Sequence, residues 1–229
     1  MTIPWHMDNT EFFAGLPGEK EEFLRVAERM EPHKHEMIFF EEDAGDACYY
    51  IQAGLVKIFK LSAGGKESLF FLRKRNEMFG LAEIIEARSR KANAQALTDC
   101  TLYKMNKHAF EKFLDARPLV TKRVVQVLGR RLRYLGEQIE GLMSSDVRGR
   151  LIKLLVHLAH EKLPNERSWT LPVKIPVKLT QEQMASMTGS CQQTISKLLG
   201  DLQEEGHISV CHRELTIVNP LLLLHEVER

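Results

Sequence analysis

The chain has 229 residues, of which 44% are hydrophobic and 28% charged, and a formal net charge of +1. These values are typical of a globular protein of one large or two small domains, and the longest apolar run, residues 221–224, is far shorter than the roughly 20 residues of a membrane span. Residues 1–9 lack the basic start and apolar stretch of a signal peptide, so we expect a cytoplasmic protein without a membrane partner.

The cysteines are scattered along the chain, and no two of them form a C-x-x-C pair. Structural zinc and iron–sulfur sites usually take clustered ligands. We therefore expect neither kind of site and interpret the cysteines as reduced thiols. They are Cys48, Cys100, Cys191 and Cys211.

Residues 10–30 carry apolar side chains near helical spacing around a break at Pro17-Gly18, which predicts helical structure. From residue 34 to about residue 105, short apolar runs alternate with turn residues, which predicts an antiparallel sandwich or barrel. Gly64-Gly65 between two such runs indicates a hairpin. The interior of a barrel is a natural small-molecule pocket, although side chains alone can also fill it.

A long helix is predicted over residues 118–144. Apolar side chains recur there at steps of three and four residues, the 3.5-residue seam of a helix that pairs with another helix. We interpret the seam as a homodimer interface; the alternative is a helix that lies on the protein's own core. The seam consists of Val125, Leu128, Leu132, Leu135, Ile139 and Leu142.

Two helix starts lie ten residues apart within residues 179–202. Thr180 with Gln183, and Ser190 with Gln193, match the capping-box pattern, and Gly189 is the residue expected at a left-handed helix end. This pattern predicts a helix, a tight turn and a second helix. The expected shared core is Met184, Met187, Ile195, Leu198 and Leu202.

The exposed start of the second helix carries side chains that suit a major groove. Glutamine can bond adenine twice, lysine contacts guanine or phosphate, and threonine suits a phosphate or a thymine methyl group. Alternating residues 208–210 and 215–217 predict a β-hairpin wing, which favours DNA binding over a plain helical hairpin. The predicted DNA-contacting residues are Thr180, Ser190, Gln192, Gln193, Thr194, Ser196 and Lys197.

The predicted elements divide the chain into three parts. Ser145 or Asp146 can cap a helix that continues over residues 150–162, so a boundary falls near residue 145. We expect a sensory β-roll effector domain over residues 1–117, a dimerisation helix over 118–145 and a winged helix-turn-helix domain over 146–229.

With these motifs the chain resembles the cyclic-AMP receptor protein/FNR (Crp/Fnr) family of bacterial transcription regulators. The resemblance covers nearly the whole chain, and residues 146–150 and 179–202 are its most specific parts. It implies an α+β fold: an N-terminal cyclic-nucleotide-binding-like β-roll (a double-stranded β-helix barrel), a long dimerisation helix and a C-terminal winged helix-turn-helix. It also implies a homodimer on near-palindromic double-stranded DNA, with RNA polymerase as a further partner of an activator.

In cyclic-AMP-binding members, a Gly-Glu pair meets the ribose, an Arg-Ser pair holds the phosphate and a Thr-Ser pair contacts adenine. These pairs fall here at Gly80-Leu81, at Arg90-Lys91 or alternatively Arg88-Ser89, and at Leu135-Gly136, so we expect an unidentified effector other than cyclic AMP. The basic residues either hold another anion or are ordinary solvated charges. The candidate effector site is Gly80, Leu81, Arg90, Lys91, Arg131 and Leu135.

Haem-based and thiol-based sensing are alternatives. The cysteine cluster of the iron–sulfur members is absent, whereas His6, His33 and His35 are available as haem ligands. Cys191 lies at a predicted helix N-terminus, where the helix dipole lowers the pKa of a thiol. Its oxidation, alone or by pairing with Cys211, would block DNA binding.

An enzyme is the alternative class of protein. His33-Lys34-His35 is similar to the two-histidine strand of metal-binding cupins, but the glutamate that should follow falls at Phe39 or Phe40. We therefore predict no catalytic residues and no metal ligands. A cyclic-nucleotide module without DNA binding is a third class, and the predicted wing argues against it.

Overall fold

The structure is a computed structural model that describes residues 11–65, 67–144, 146–163, 165–212 and 214–227. The chain divides into two compact units between Tyr134 and Leu135, inside a long helix. Among the described residues, no helix is both long enough and apolar enough to cross a membrane.

Short antiparallel strands build the first unit, as the sequence predicts. They are β1 (Glu28–Met30), β2 (Met37–Phe39), β3 (Ala47–Ala53), β4 (Leu55–Leu61), β5 (Glu67–Lys74), β6 (Met78–Phe79), β7 (Asn93–Ala96) and β8 (Thr101–Asn106). One sheet has the order β1-β8-β3-β6 and the other the order β2-β7-β4-β5. The predicted β-roll is confirmed.

Near the N-terminus of the chain, this unit contains less helix than the sequence suggests. They are α1 (Pro17–Val26), α2 (Leu81–Glu86), α3 (Lys107–Asp115) and the first part of α4 (Pro118–Ser144). The expectation of helical structure over residues 10–30 holds only for α1. Proline suits a first helical turn because its ring fixes φ and it has no N–H to leave unpaired. The residues that follow α1 pair with β8 as strand β1 instead.

Strand β3 is buried on both faces, and it separates two cores. Successive side chains of a strand point to opposite faces of the sheet. Ala47, Tyr49 and Ile51 therefore pack into the interior of the roll. Cys48 and Tyr50 pack instead against the aromatic side chains of the helices that cover the sheet.

The second unit contains the end of α4 and a winged helical domain. Its further elements are α5 (Val147–Ala159), β9 (Val173–Lys174), α6 (Gln181–Thr188), α7 (Gln192–Glu204), β10 (Ile208–Cys211), β11 (Glu214–Ile217) and α8 (Pro220–His225). The three strands form one sheet of order β10-β11-β9. Asp146 caps α5 by accepting a hydrogen bond from the Gly149 amide at 2.7 Å, as the sequence indicates, and a 3-10 turn over His160–Lys162 follows the end of α5 at Ala159.

Candidate nucleic-acid interface and effector region

The first helix of the predicted helix-turn-helix has the capping box that the sequence indicates. The Thr180 hydroxyl accepts a hydrogen bond from the Gln183 amide at 3.1 Å, and the Gln183 side chain accepts one from the Thr180 amide at 2.9 Å. The helix ends at Gly189, whose φ is +61°. Both ends of α6 are thereby capped before the chain turns into α7.

The second capping box is wrong. The N-cap of α7 is Cys191 rather than Ser190, and Cys191 makes no side-chain capping hydrogen bond. The Ser190 amide donates instead to the Ala185 carbonyl at 2.9 Å, which closes the end of α6. Ser190 is therefore part of the turn, because a left-handed glycine turn uses the amide of the next residue to satisfy the preceding helix.

Helix α7 buries one face and exposes the other. Ile195, Leu199 and Leu202 are buried, at the four- and three-residue steps of one helical face. Leu199 thus takes the core position predicted for Leu198, which is half-buried. On the opposite face the predicted DNA-contacting side chains at the start of α7 are exposed or, for Thr194, half-buried. The exposed members are Gln192, Gln193, Ser196 and Lys197.

The wing follows α7 as predicted. Strands β10 and β11 pair from Ile208 with Ile217 to Cys211 with Glu214, and β9 adds a third strand through Thr216 with Lys174. Sequence reasoning missed this third strand, since β9 is only two residues long and Pro172 and Pro176 flank it.

The exposed thiols lie in the second unit, and their environments differ from those of the buried ones. The Thr194 hydroxyl, 3.1 Å from the Cys191 sulfur, lowers the pKa of the Cys191 thiol, and the amides at the start of α7 add to this effect. The Cys211 sulfur lies 3.1 Å from Nδ1 of His212. Burial raises the pKa of the Cys48 and Cys100 thiols. Cys191 is thus ionised more easily than Cys48 or Cys100.

The long helix α4 has the predicted bounds, but its apolar seam is not uniform. Leu128 is partly buried and packs against the core of the first unit. The other seam positions are exposed, and Leu132 is the most open at 72%. They are Val125, Leu132, Leu135, Ile139 and Leu142. The predicted partner face therefore lies largely uncovered on this chain.

The end of α4 contacts the helix-turn-helix within the second unit. A β-carbon built on Gly189, whose φ is positive, would lie 2.8 Å from Cδ2 of Leu142, so another residue there would be strained and would require the Leu142 side chain to shift. Arg150 on α5 donates to the Thr188 carbonyl at 2.7 Å and reaches the Gly141 carbonyl at 3.5 Å. One arginine thus joins α4 to the last residue of α6.

Arg90 of the candidate effector site is buried inside the roll, with 1% of its surface exposed. Its terminal nitrogens donate to the carbonyls of Ala47 and, at 3.3 Å, Gly80, and its guanidinium lies 4.3 Å from the centre of the Phe39 ring. Its Nε is buried without a hydrogen-bond partner. Leu81, also buried, packs in the core beneath the helices rather than in the interior of the roll.

A second arginine, half-buried, contacts strand β6, which leads to Gly80. Arg131 on α4 donates to the Met78 carbonyl. Burial lowers the pKa of its guanidinium to about 9, and the neighbouring Arg73 contributes to this shift. Arg73 forms an ion pair with Glu77, in which Nη1 lies 3.7 Å from Oε2. Sequence reasoning missed Arg73 and Glu77, because their side chains flank the β5–β6 turn and nothing in a strand pattern marks them as buried.

The remaining candidate effector residues lie apart from this cluster. Lys91 is exposed and pairs with Glu42 at 3.3 Å, so it is an ordinary surface charge. Leu135 belongs to the second unit. Among the candidate effector positions, Gly80 and Arg90 are in contact in the first unit. Arg131 contacts Met78, two residues before Gly80.

The histidines considered as haem ligands are partly described. His33 is exposed, with Nδ1 3.7 Å from Asp99, and His35 is exposed with a φ of 72°. His6 lies outside the described residues. Within the described ranges, no group of three or more His, Cys, Asp or Glu side chains is arranged to hold a metal ion.

Two family models match successive parts of this chain. A cyclic nucleotide-binding domain matches residues 30–117, and a Crp-like helix-turn-helix domain matches residues 149–225. A CRP-like cAMP-activated global transcriptional regulator of Mycobacterium tuberculosis is 30% identical over 171 residues, which cover 75% of each chain. This chain belongs to the Crp/Fnr family. A global nitrogen regulator of Synechocystis is a further Crp/Fnr-like relative, 28% identical over 81% of this chain and 82% of its own.

Solved structures agree with the Crp/Fnr fold. FixK2 from Bradyrhizobium japonicum superposes with a TM-score of 0.76 at 18% identity, over 88% of this chain and 97% of its own. A CooA mutant from Carboxydothermus hydrogenoformans gives a TM-score of 0.76 at 22% identity, over 97% of each chain. The family models and the relatives confirm the predicted Crp/Fnr resemblance and the class of transcription regulators.

Proposed function

We propose that this chain is a sequence-specific DNA-binding transcription regulator that acts as a homodimer and responds to a small anion bound in the β-roll. The observation that carries the proposal is the winged helix-turn-helix: a capped α6, a left-handed turn at Gly189 and an α7 whose polar start faces solvent. A second helix of this kind docks in the major groove with its N-terminal residues against base edges.

The predicted DNA-contacting side chains form two groups. Some can contact base edges, and the others can contact the phosphate backbone. Gln192 and Gln193 stand at the start of α7, where a glutamine can bond the N6 and N7 atoms of adenine. Lys197, one turn later, contacts guanine or phosphate, while Thr180 and Thr194 suit backbone phosphates. Family members often carry Glu and Arg where this chain has Gln193 and Lys197, so the preferred half-site differs from the common family half-site.

The homodimer is supported by the exposed apolar positions of α4. An apolar stripe at heptad spacing loses contact with water only when a second helix covers it. A dimer places two recognition helices about one turn of DNA apart, which matches a near-palindromic site.

The anionic effector is supported by the charges inside the roll. Arg73, Arg90 and Arg131 are accompanied by two carboxylates, Glu77 and Glu83, which leaves one more positive than negative side chain in a partly buried region. Unpaired buried charge is unfavourable, so an anion that enters gains strong interactions. Leu81 stands where family members present the ribose carboxylate, which disfavours cyclic AMP.

A thiol-based response is a second candidate mode of regulation. The lowered pKa of the Cys191 thiol, on the proposed DNA-contacting face, favours it.

The test of the DNA-reading function is selection of bound duplexes from a random-sequence pool by the reduced, ligand-free full chain. Enrichment of two-fold symmetric sites with half-sites about one helical turn apart is expected. If nothing is enriched, the selection is repeated with cell extract as a source of effector. Failure in both conditions contradicts the proposed function.

A further inference from the structure

Glu214, the first residue of β11, bridges two lysines beside the wing. Its carboxylate lies 2.5 Å from the Lys174 ammonium and 3.1 Å from the Lys178 ammonium. The strand register explains the first contact: Lys174 pairs with Thr216, and Glu214 stands two residues before Thr216 on the same face of β11. The second contact joins the wing to the segment that leads into α6.

The bridge is open to solvent. The side chains of Lys174 and Lys178 are 57% and 66% exposed, and that of Glu214 is 34% exposed. The two ammonium groups lower the pKa of the Glu214 carboxyl, so this group is ionised at neutral pH. Ion pairs between exposed groups are weak and are screened by salt. The lysines can therefore exchange the carboxylate for another anion.

The position of the bridge puts it next to the proposed path of the DNA backbone. In a helix-turn-helix the first helix crosses the backbone while the second enters the major groove. Lys178 precedes Thr180, the N-cap of that first helix, by two residues. Glu214 pairs with Cys211 at the end of the wing hairpin.

We propose that Glu214 limits the affinity of this chain for DNA by holding Lys174 and Lys178 away from backbone phosphates. This inference rests on the proposed DNA-binding function. A phosphate that approaches Lys178 must displace the carboxylate and is repelled by it at short range. Each phosphate left without a lysine releases one counterion fewer, which weakens sequence-independent binding and reduces its salt dependence.

The test measures binding of the full-length chain to a random-sequence duplex by fluorescence anisotropy at several salt concentrations. This needs no knowledge of the operator. For Glu214→Gln, which keeps the side-chain shape, the slope of log K against log salt is expected to steepen by about one unit. Its affinity then falls roughly threefold to fourfold more than that of the wild type between about 50 and 200 mM salt.

Glu204→Gln is the matched control, because it removes one exposed negative charge at the far end of α7. It is expected to keep the wild-type slope. Lys178→Gln should weaken DNA binding more in the Glu214→Gln background than in the wild type. The reason is that Lys178 contributes fully to phosphate binding only when the Glu214 carboxylate is removed.

The outcomes separate the two proposals. If the wild type binds DNA but Glu214→Gln has an unchanged or shallower slope, or if Glu204→Gln steepens it equally, Glu214 has no special role and the inference is overturned. If the wild type binds no duplex in this assay or in the random-pool selection, the proposed function itself fails and this inference fails with it.

Discussion

Arg90 shows how a single side chain can carry charge inside the β-roll. Its guanidinium is satisfied mainly by the carbonyls of Ala47 and Gly80 and by the face of the Phe39 ring. A planar, weakly hydrated guanidinium suits such partners better than a lysine ammonium does. The Glu83 carboxylate lies 3.5 Å from its Nη1, so the charge of Arg90 is offset only in part and can still attract an anion.

Arg131 is the residue with which the anion proposal can be tested. Phosphate, citrate and cyclic AMP would be added separately, and thermal unfolding would be followed. We expect at least one compact anion to raise the Tm of the wild type, because a ligand stabilises the state that binds it, and cyclic AMP to leave it unchanged. Arg131→Met should abolish the rise without lowering the Tm of the free chain, since burial and Arg73 already disfavour the charged guanidinium.

Lys91→Met is the control for Arg131, because Lys91 is exposed and paired with Glu42. This variant should keep the response to the anion. An equal loss of response in both variants, or a Tm rise with cyclic AMP, would contradict the assignment.

Cys191 is expected to be more reactive than the buried thiols Cys48 and Cys100. The thiolate is the nucleophile, and the pKa of Cys191 is lowered while burial raises those of Cys48 and Cys100. Labelling with iodoacetamide at a series of pH values, read by peptide mass, should reach its half-maximal rate at a lower pH for Cys191 than for Cys48 or Cys100. Thr194→Val should move the Cys191 profile to higher pH, because it removes the hydroxyl that stabilises the thiolate.

The same thiol decides the redox alternative. Peroxide should reduce DNA binding of the wild type, and Cys191→Ser should resist the loss. Unchanged binding of the oxidised wild type would remove the thiol switch from consideration.

At the scale of elements, the junction between α4 and the helix-turn-helix depends on Gly189. Alanine there must adopt a positive φ and place its β-carbon against Leu142. The first effect costs about 1–2 kcal/mol, and the second adds to it unless α4 moves. We expect Gly189→Ala to lower the free energy of unfolding in urea by about 1–3 kcal/mol.

Leu142→Ala provides the matching half of a double-mutant cycle. It removes the atom that the new β-carbon would meet, so Gly189→Ala should be less destabilising in the Leu142→Ala background. If the two changes in the free energy of unfolding are strictly additive, Leu142 does not contact the β-carbon introduced at position 189.

The elements were predictable where a local pattern decides them. Heptad spacing predicted the bounds of α4, and the pair Thr180 and Gln183 predicted the start of α6, because both depend on residues a few positions apart. The cap of α7 was missed because Ser190 satisfies the end of α6 instead. The burial of Arg90 could not be predicted either, since its partners come from strands more than ten residues away or from chain turns that only the folded roll brings together.

At the scale of the whole molecule, α4 presents two faces with different tasks. Val120 and Val124 are buried in the core of the first unit, and Leu128 packs against the same core. Val125, Leu132 and Ile139 follow one another at seven-residue steps and are exposed. A helix that only covered its own core would not repeat large apolar side chains along a solvent-facing line, so a second helix is the partner that this line fits.

Leu132→Glu tests that partner. Since the side chain is already 72% exposed, the substitution should leave the folded monomer intact, whereas two carboxylates facing each other in a seam disfavour pairing. Sedimentation should show a shift from dimer to monomer. Affinity for a symmetric site should fall by about 10²–10⁴-fold, because the second recognition helix is no longer held near its half-site.

Leu119→Glu is the matched control: it changes an equally apolar, 58% exposed residue of α4 that lies outside the seam. It should sediment and bind as the wild type does. If Leu132→Glu also stays dimeric and binds DNA fully, the seam is not the interface, and the two recognition helices must be joined through another surface. If both variants become monomeric, the effect comes from charge on α4 in general, and the seven-residue line loses its assigned role.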